Sequence, residues 1–345
     1  MKNELYTPEG WLNFKYIDSF NAWLNVIIGS RQVGKTYGTL KLMLQENRYH
    51  VLLRRTTAEV ETISASPDLN PYAIFEPDFH IALFKNSKKL CRISDYIIND
   101  KNEIQEGKQR GIITSLSEIA HVRGFNGSAF TDLVFDEFIP EKGVISRTTE
   151  GDAFLNAYTT INGNRELQGK PPLRAWLLAN SNNVMNYVLE ALNLTDIVLD
   201  MRRRKKEVFL TDDNTLIIQP SSVQVLQQRK QTALMQRISE KSSFYGMAIN
   251  NDFSYDQSDY VKTISIKHLK PVFRFGSLYC WERAEGFYIC RAPGKVPDKY
   301  QYEDSNTGRE RFVKDFAFLL SFYFAGAILF SDLRALAIFR TLFNI

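Results

Sequence analysis

The stretch Gly29–Thr36 constrains the fold more than any other part of the sequence, because it fills every fixed position of the phosphate-loop pattern GxxxxGK[ST]. An apolar run, residues 24–28, precedes it, and apolar residues recur at helical spacing after it. A strand, a glycine loop and a helix in this order form a nest of N–H groups for polyphosphate oxygens. The sequence therefore predicts a Walker A site for ATP and Mg²⁺, made of Gly29, Ser30, Arg31, Gln32, Val33, Gly34, Lys35 and Thr36.

A second motif, residues 131–138, is an apolar strand that ends in the adjacent carboxylates Asp136 and Glu137. In a Walker B strand the aspartate holds Mg²⁺ partly through water, together with the hydroxyl of Thr36, while Lys35 reaches the β- and γ-phosphates. We expect Glu137 to polarise the water that attacks the γ-phosphate. The extra glutamate indicates an α/β fold, a P-loop NTPase of the additional-strand, catalytic-glutamate type, with a mostly parallel sheet and flanking helices.

Two further predicted strands end in polar side chains, one in Arg54 and Arg55 and the other in Asn180 and Ser181. Ligands of open α/β sheets bind at the carboxyl ends of the strands. The two arginines are therefore candidates for a contact with phosphate or DNA, and the alternative is a solvated charge pair. Asn180 and Ser181 are candidate sensors of the γ-phosphate or the attacking water, and the alternative is a helix cap.

The densest basic run, residues 201–206, marks a change in composition. Its arginines, Arg202, Arg203 and Arg204, either contact phosphates or form a solvated face. We place the domain boundaries around this run. The prediction is a P-loop ATPase domain over residues 1–198, a linker region over 199–235 and a C-terminal domain over 236–345.

The overall charge is mildly basic, with 43 basic and 39 acidic residues and a net charge of +4. This excess permits a polyanionic partner without requiring one. The three cysteines lack CxxC spacing, which argues against a zinc site or a disulfide framework and fits a reducing cytoplasm. The apolar stretch 316–330 is shorter than the ~20 residues of a membrane-spanning helix, so we predict a buried helix and no membrane partner.

The sequence resembles the large terminases that package viral DNA, because Arg31 lies inside the phosphate loop and a later strand ends in Phe135-Asp136-Glu137-Phe138-Ile139. Three further features restrict the resemblance to one group of packaging proteins. They are the strand that ends in Arg54-Arg55, the segment Asn164-Arg165-Glu166 and the short chain. They point to the DNA-packaging ATPases (encapsidation proteins) of small, protein-primed phages of the phi-twenty-nine type. The resemblance is specific over about residues 20–185 and weak after residue 200.

This resemblance implies a homo-oligomeric ring, expected to be a pentamer, docked on the portal (connector) of a procapsid in the host cytoplasm. The ring would use ATP to drive double-stranded DNA inward, and in some members a packaging RNA bridges the ATPase and the portal. Arg31 would act in cis on the γ-phosphate, and Arg54 and Arg55 would sit near the subunit boundary. The arginine finger that completes the neighbour's site would be Arg165, with Arg147 as the second candidate.

The C-terminal domain is where the resemblance to terminases weakens. Terminases carry an RNase H-type nuclease, whose clustered carboxylates hold Mg²⁺. Here the corresponding hairpin strand reads Leu278-Tyr279-Cys280-Trp281, with no aspartate where the first metal ligand is expected. The prediction is a smaller α/β RNase H-like domain, a vestigial nuclease without cleavage activity.

Two other functions remain open from the sequence. The first is a nucleotide-gated adaptor with weak hydrolysis that binds nucleic acid or a portal. The second is another ring DNA translocase, such as a conjugation motor. Glu137 argues against the adaptor, since a pure switch can lose it, and the Arg31-Gln32 pair and the short chain argue against the conjugation motor.

Overall fold

The computed structural model describes residues 4–87, 89–119, 127–140, 149–181, 186–221, 223–238, 245 and 260–343. The chain divides into two compact units, residues 1–255 and residues 256–345. Each unit contains a sheet of its own, with nine strands in the first and five in the second.

The first unit is built on a mixed sheet in which short segments and helices connect the strands. The strands are β1 (Leu24–Gly29), β2 (His50–Arg54), β3 (Ile81–Lys85), β4 (Leu90–Ile98), β5 (Ile104–Ser115), β6 (Asp132–Asp136), β7 (Arg174–Asn180), β8 (Val208–Leu210) and β9 (Thr215–Ile218). Their order across the sheet is β3-β4-β5-β2-β6-β7-β1-β9-β8. The strands from β5 to β9 in this order run parallel, and the outer pairs are antiparallel.

Short and medium helices accompany this sheet. They are α1 (Phe14–Ser19), α2 (Lys35–Gln45), α3 (Thr57–Ile63), α4 (Leu116–Ile119), α5 (Glu150–Asn162), α6 (Tyr187–Ala191), α7 (Thr195–Arg203), α8 (Val223–Lys230) and α9 (Ala233–Arg237), with 3-10 turns at Pro67–Leu69, Ala73–Phe75 and Glu166–Gln168. Particular residues determine where some of these helices begin or end. The Thr56 side chain accepts from the Glu59 N–H at the start of α3, and α5 ends at Gly163, whose φ of +55° suits a residue without a Cβ.

The central strands are covered on both faces. Every residue of β1 and of β6 is buried, and successive side chains of a strand point to opposite faces. The apolar runs that predicted these strands are typical of parallel sheets with two covered faces. Strand β7 lies between β1 and β6, so the phosphate-loop strand and the strand with the two acids are not neighbours.

The region 199–235, expected to be a linker, instead contributes two strands, the whole of α8 and parts of α7 and α9 to the first unit. Strand β9 pairs in parallel with β1 and extends the sheet beyond the phosphate-loop strand. Next to it, a Cβ on Gly29 would lie 2.5 Å from the Pro220 Cγ, so the close approach requires glycine. A strand of only four residues has too little alternation to be recognised from sequence.

The second unit has a smaller sheet with a three-stranded antiparallel centre. Its strands are β10 (Lys270–Phe275), β11 (Leu278–Arg283), β12 (Gly286–Cys290), β13 (Gln301–Tyr302) and β14 (Ile328–Phe330), in the order β13-β10-β11-β12-β14. The outer strands β13 and β14 run parallel to their neighbours. Three helices follow, α10 (Asn306–Phe316), α11 (Leu319–Phe324) and α12 (Leu333–Phe343), after a 3-10 turn at Asp298–Tyr300.

Aromatic side chains dominate the core of the second unit. The Phe273 ring lies 4.8 Å from that of Phe312 and 4.6 Å from that of Phe316, between ring centroids. The expected single helix over 316–330 is wrong: the chain forms α11, turns at Gly326 with a φ of +71°, and continues as β14. Within the described part of the chain, no helix is long and apolar enough to cross a membrane.

Candidate functional site

The phosphate loop connects β1 to α2, as its sequence pattern predicts. Two of its residues have left-handed backbone conformations, Gln32 with a φ of +60° and Gly34 with a φ of +87°. Such turns bring successive N–H groups to one side of the loop, which makes a concave site for anions. The hydroxyl of Ser30 is buried and has no hydrogen-bond partner among the described residues.

Lys35, the first residue of α2, is only 7% exposed. Its amine donates to the carbonyls of Gly29 at 3.1 Å and Ser30 at 2.7 Å, and to the Asn180 Oδ1 at 3.1 Å. These three acceptors are neutral, so they do not compensate the positive charge fully. Burial lowers the pKa of Lys35 from 10.5 to about 7, although the charge of Asp136 opposes the shift.

Thr36 and Asp136 meet although 100 residues separate them in the sequence. The Thr36 hydroxyl donates to the Asp136 Oδ1 at 2.9 Å. Burial raises the pKa of Asp136, and the positive charge of Arg54 offsets part of this effect. A hydroxyl and a carboxylate oxygen are ligands that Mg²⁺ prefers, and Mg²⁺ usually keeps several waters beside them.

Glu137 follows directly after β6 and has a φ of +57°. A left-handed conformation costs a residue other than glycine about 1–3 kcal/mol and often marks a functional site. Its side chain is 48% exposed, so water reaches the carboxylate. Asp136 and Glu137 therefore differ as the two roles require, one buried beside a hydroxyl and the other open to solvent.

Arg54 joins these two carboxylates. It donates to the Asp136 Oδ2 at 2.9 Å and to the Glu137 Oε2 at 2.7 Å, and its Nε lies 3.4 Å from the Glu59 Oε2. The expected contacts of Arg54 with DNA or at a subunit boundary stay predictions, and within its own chain Arg54 lies among these acids. The cause is the strand order, since β2 lies directly beside β6, and a sequence does not reveal this order.

Asn180 and Ser181 lie at the carboxyl end of β7, beside the phosphate loop. Asn180 is in register with Gly29 and accepts from Lys35. The Ser181 N–H donates to the Gly29 carbonyl at 3.2 Å, and Ser181 is buried. Asn180 is therefore within reach of a ligand on Lys35, whereas Ser181 holds the start of the loop.

Arg165 does not lie with these residues. It is 8% exposed, and its guanidinium donates to the main-chain carbonyls of Ser128, Phe130 and Pro171. Because these bonds hold the side chain inside its own subunit, the structure does not support its expected role as the arginine finger. The second candidate, Arg147, lies outside the described residues.

The remaining expected contacts lie away from the phosphate loop. Arg55 is mostly buried and pairs with Glu150, with 2.6 Å between the Nη2 and the Oε1. Arg202 and Arg203 occupy the last turn of α7, and Arg204 follows it. Arg203 and Arg204 are largely exposed and both pair with Asp200. Of the expected contact residues, these two therefore offer the most charge at the surface.

One residue at the loop was not expected from the sequence. Arg229, on α8, donates from its Nη1 to the Arg31 carbonyl at 2.5 Å. Both arginines are partly buried. The expected role of Arg31, to contact the γ-phosphate of its own site, stays a prediction. No motif marks Arg229, because it is one of several basic and glutamine residues in a polar segment.

Together these residues fit a nucleotide with its metal ion. Lys35 and the buried Ser30 hydroxyl line the loop, and Thr36 and Asp136 offer oxygen ligands beside it. The arrangement can bind a polyphosphate, neutralise charge that develops on it, and place a carboxylate near an attacking water.

Comparisons with known proteins show which family the sequence resembles. The family model described as Podovirus DNA encapsidation protein (Gp16) matches residues 6–281. The DNA packaging protein of Bacillus phage phi29 is 25% identical over 277 residues, which are 79% of this chain and 72% of that protein. The DNA packaging protein of Bacillus phage B103 is 26% identical over 263 residues, which are 74% of this chain and 71% of that protein.

A solved structure shares the fold. A chain of the bacteriophage Phi-29 viral genome packaging motor assembly superposes with a TM-score of 0.61 at 22% identity, over 96% of this chain and 99% of that one.

Proposed function

The chain belongs to the podovirus DNA encapsidation protein family, and we propose that it is the ATP-hydrolysing subunit of a ring motor that moves viral double-stranded DNA into a procapsid. The observation that carries this proposal is the convergence of Lys35, Thr36, Asp136 and Glu137 at one edge of the sheet. Thr36 and Asp136 come from two motifs 100 positions apart and share a hydrogen bond, which supports a role in phosphoryl transfer.

ATP binding uses the loop and the Lys35 amine. In this structure the amine donates to main-chain carbonyls, and we infer that it exchanges part of these bonds for β- and γ-phosphate oxygens. Thr36 and Asp136 would hold Mg²⁺, partly through water. When bound, the metal ion neutralises charge that develops on the transferred phosphoryl group.

Glu137 is the proposed general base. A carboxylate open to solvent at the end of β6 can accept a proton from the attacking water. Its bond to Arg54 fixes the position of the carboxylate beside Asp136. Asn180, bonded to Lys35, is the proposed sensor of the γ-phosphate.

We assign the first unit to the additional-strand, catalytic-glutamate division of P-loop NTPases. The strand order supports this assignment, because β7 is inserted between the phosphate-loop strand β1 and the acid-bearing strand β6. The glutamate that follows Asp136 is the second supporting observation.

The ring and its trans-acting arginine are also proposals. Arg165 is engaged with carbonyls of its own subunit, so we now place Arg147 first as the residue that completes a neighbour's site. Removing such a finger lowers the rate by about 10³–10⁵-fold. In mixtures of Arg147→Ala subunits with Lys35→Ala subunits, recovery of hydrolysis would support action in trans, and no recovery in rings shown to be mixed would oppose it.

The partners follow from the family. We propose a ring, with five subunits as the expected number, docked transiently on the portal of the procapsid in the host cytoplasm, with a packaging RNA as a further candidate partner. Arg202, Arg203 and Arg204 are the proposed contacts with the DNA backbone, since two of them are well exposed.

We further propose that the second unit is an RNase H-like domain that has lost nuclease activity. An antiparallel centre with parallel outer strands supports the fold. Strand β11 carries Tyr279, Cys280 and Trp281 where the first acidic ligand would stand. Incubation with DNA and Mg²⁺ or Mn²⁺ should leave the DNA intact, and metal-dependent cleavage would overturn this proposal.

The test of the motor function is steady-state ATP hydrolysis with and without double-stranded DNA, at low salt and over a range of protein concentrations. We expect DNA to stimulate hydrolysis, and the stimulation to rise cooperatively with concentration, because neighbours complete each site. Lys35→Ala serves as the control and should abolish the signal. Hydrolysis that is indifferent to both DNA and concentration would contradict the ring motor.

A further inference from the structure

Helix α8 reaches the phosphate loop from a distant part of the first unit. The Arg229 Nη1 donates to the Arg31 carbonyl at 2.5 Å, across 198 positions of sequence. The loop is therefore in contact with a segment that lies after the last strand of the sheet.

The helix presents Arg229 to the loop through a buried neighbour. Val225 and Arg229 are four residues apart and share one face of α8. Val225 is 2% exposed and anchors this face, whereas Gln228 and Lys230 are exposed. The direction of Arg229 is thus fixed by packing, and the adjacent Lys230 is a cation of the same helix that faces solvent.

Positive charge accumulates on this side of the loop. Burial lowers the pKa of Arg229, and the nearby charge of Arg31 lowers it further. The Lys35 amine bonds to neutral oxygens, and the carboxylates of Asp136 and Glu137 both bond to Arg54. Arg229 acts electrostatically on Lys35 as well as on Arg31, so its positive charge adds to the attraction of the loop for a multiply charged anion.

We propose that Arg229 is a positioning residue for Arg31 that makes the loop favour a nucleoside triphosphate over a diphosphate. Its bond to the Arg31 carbonyl fixes the loop where the Arg31 side chain begins. Its charge adds to a potential that attracts the extra negative charge of the triphosphate more strongly. This inference rests on the proposed function, since it assigns a new residue to the same nucleotide site.

The experiment compares the affinities of the full-length protein for MgATP and MgADP by calorimetry. The variants are Arg229→Gln, which keeps a hydrogen-bond donor and removes the charge, Arg229→Ala, which removes both, and Arg229→Lys. Lys230→Ala is the matched control, because it removes one charge from the exposed side of the same helix. Thermal unfolding of each variant reports whether it folds.

We expect Arg229→Ala to weaken ATP binding about tenfold, or about 1.4 kcal/mol, with a smaller effect on ADP. Arg229→Gln should lower the ATP-to-ADP preference while it keeps the fold, and Arg229→Lys should restore part of the preference. Lys230→Ala should change neither affinity. An unchanged ATP-to-ADP preference in Arg229→Gln, or the same change in Lys230→Ala, would overturn the inference.

Lys35→Ala separates this inference from the proposed function. If Lys35→Ala binds ATP as the unmodified protein does, the nucleotide site itself is misassigned. If Lys35→Ala loses ATP binding while Arg229→Gln and Arg229→Ala keep the full preference for ATP, the site stands and only the role of Arg229 fails.

Discussion

Strand β6 carries a buried aspartate at each end, and the two aspartates have different hydrogen-bond partners and neighbouring charges. At its amino end the Asp132 Oδ1 lies 3.4 Å from the Arg48 Nη1 and accepts from the Trp176 indole at 2.9 Å. At its carboxyl end Asp136 bonds to Thr36 and shares Arg54 with a second acid. Both aspartates are nearly inaccessible, so burial alone does not distinguish a structural carboxylate from a functional one.

The environment of each aspartate distinguishes them. The amino end is a closed network, in which Arg48 also pairs with Asp18, and Asp18 pairs with Arg174. The carboxyl end combines Glu137, in a left-handed backbone conformation, with the Lys35 amine, which donates to neutral oxygens. The first arrangement stabilises the sheet, and the second offers a positive charge to an anionic ligand. The substitutions below should separate stability from activity along one strand.

The largest effect on activity is expected for Asp136→Asn. It should lower kcat on the order of 10²–10³-fold, because it weakens the hold on a metal ion that contributes several kcal/mol. The loss of stability should be small, since Arg54 keeps Glu137 and Glu59 as partners. Steady-state kinetics measure kcat, and denaturant unfolding of the same preparation measures the free energy of unfolding. Unchanged turnover would show that Asp136 is not part of the catalytic site.

The matching substitution at the amino end, Asp132→Asn, should do the reverse. We expect a cost of about 1–3 kcal/mol, because Arg48 and the Trp176 indole lose a buried charged acceptor while Arg48 keeps Asp18 as its partner. The free energy of unfolding should fall by this amount, and the folded fraction should hydrolyse ATP normally. If Asp132→Asn lost activity without losing stability, the assignment of a structural role to Asp132 and a functional role to Asp136 would be wrong.

The pH dependence of stability and of ATP binding tests the lowered pKa of Lys35. Its pKa of about 7 in the folded protein lies below its usual 10.5, so the unfolded chain binds more protons between these values. This group therefore makes stability rise as pH rises through that window. ATP should raise the pKa again, so binding at about pH 8.5, inside this window, should take up close to one proton. Calorimetry in buffers of different ionisation enthalpy measures this uptake, and Lys35→Arg should abolish it.

Arg54→Gln should shift the pH dependence of hydrolysis. Arg54 lowers the pKa of Asp136 against the effect of burial, so its removal raises that pKa. The acid limb of kcat/KM should then move to higher pH. Arg55→Gln is the control, because Arg55 pairs with Glu150 away from both acids. An unmoved acid limb would show that Asp136 does not govern it.

The smallest effect on stability is expected at the surface. The pairs of Arg203 and Arg204 with Asp200 are exposed, and such pairs contribute about 0–1 kcal/mol. Arg203→Ala with Arg204→Ala should leave the unfolding midpoint nearly unchanged. If these arginines bind DNA phosphates, the slope of log affinity against log salt should become shallower by about 0.9 for each phosphate no longer neutralised. An unchanged slope would assign them to the solvated surface.

The sequence predicted the parts of this protein that contiguous motifs define. The phosphate loop between a strand and a helix, and the strand that ends in Asp136, appear in the structure as expected. In each case a single short segment contains both the pattern and the element that it forms.

The parts that depend on strand order or distant contacts were not predictable. Arg54 belongs to the site only because β2 lies beside β6, and Arg229 only because α8 meets the loop. Arg165 looked available in a polar loop, yet it satisfies carbonyls of its own subunit. The apolar stretch after Phe316 divides between a helix and a strand, because a short apolar run has no period that distinguishes them.

The most direct test of the account compares ATP binding and ATP hydrolysis in Glu137→Gln. Glutamine keeps the size and position of the side chain at the end of β6 but does not accept the proton of the attacking water. We predict that the variant binds ATP with the affinity of the unmodified protein, while turnover falls by about 10²–10⁴-fold. Near-normal turnover would contradict the assignment of Glu137 as the general base, and with it the proposed catalytic site.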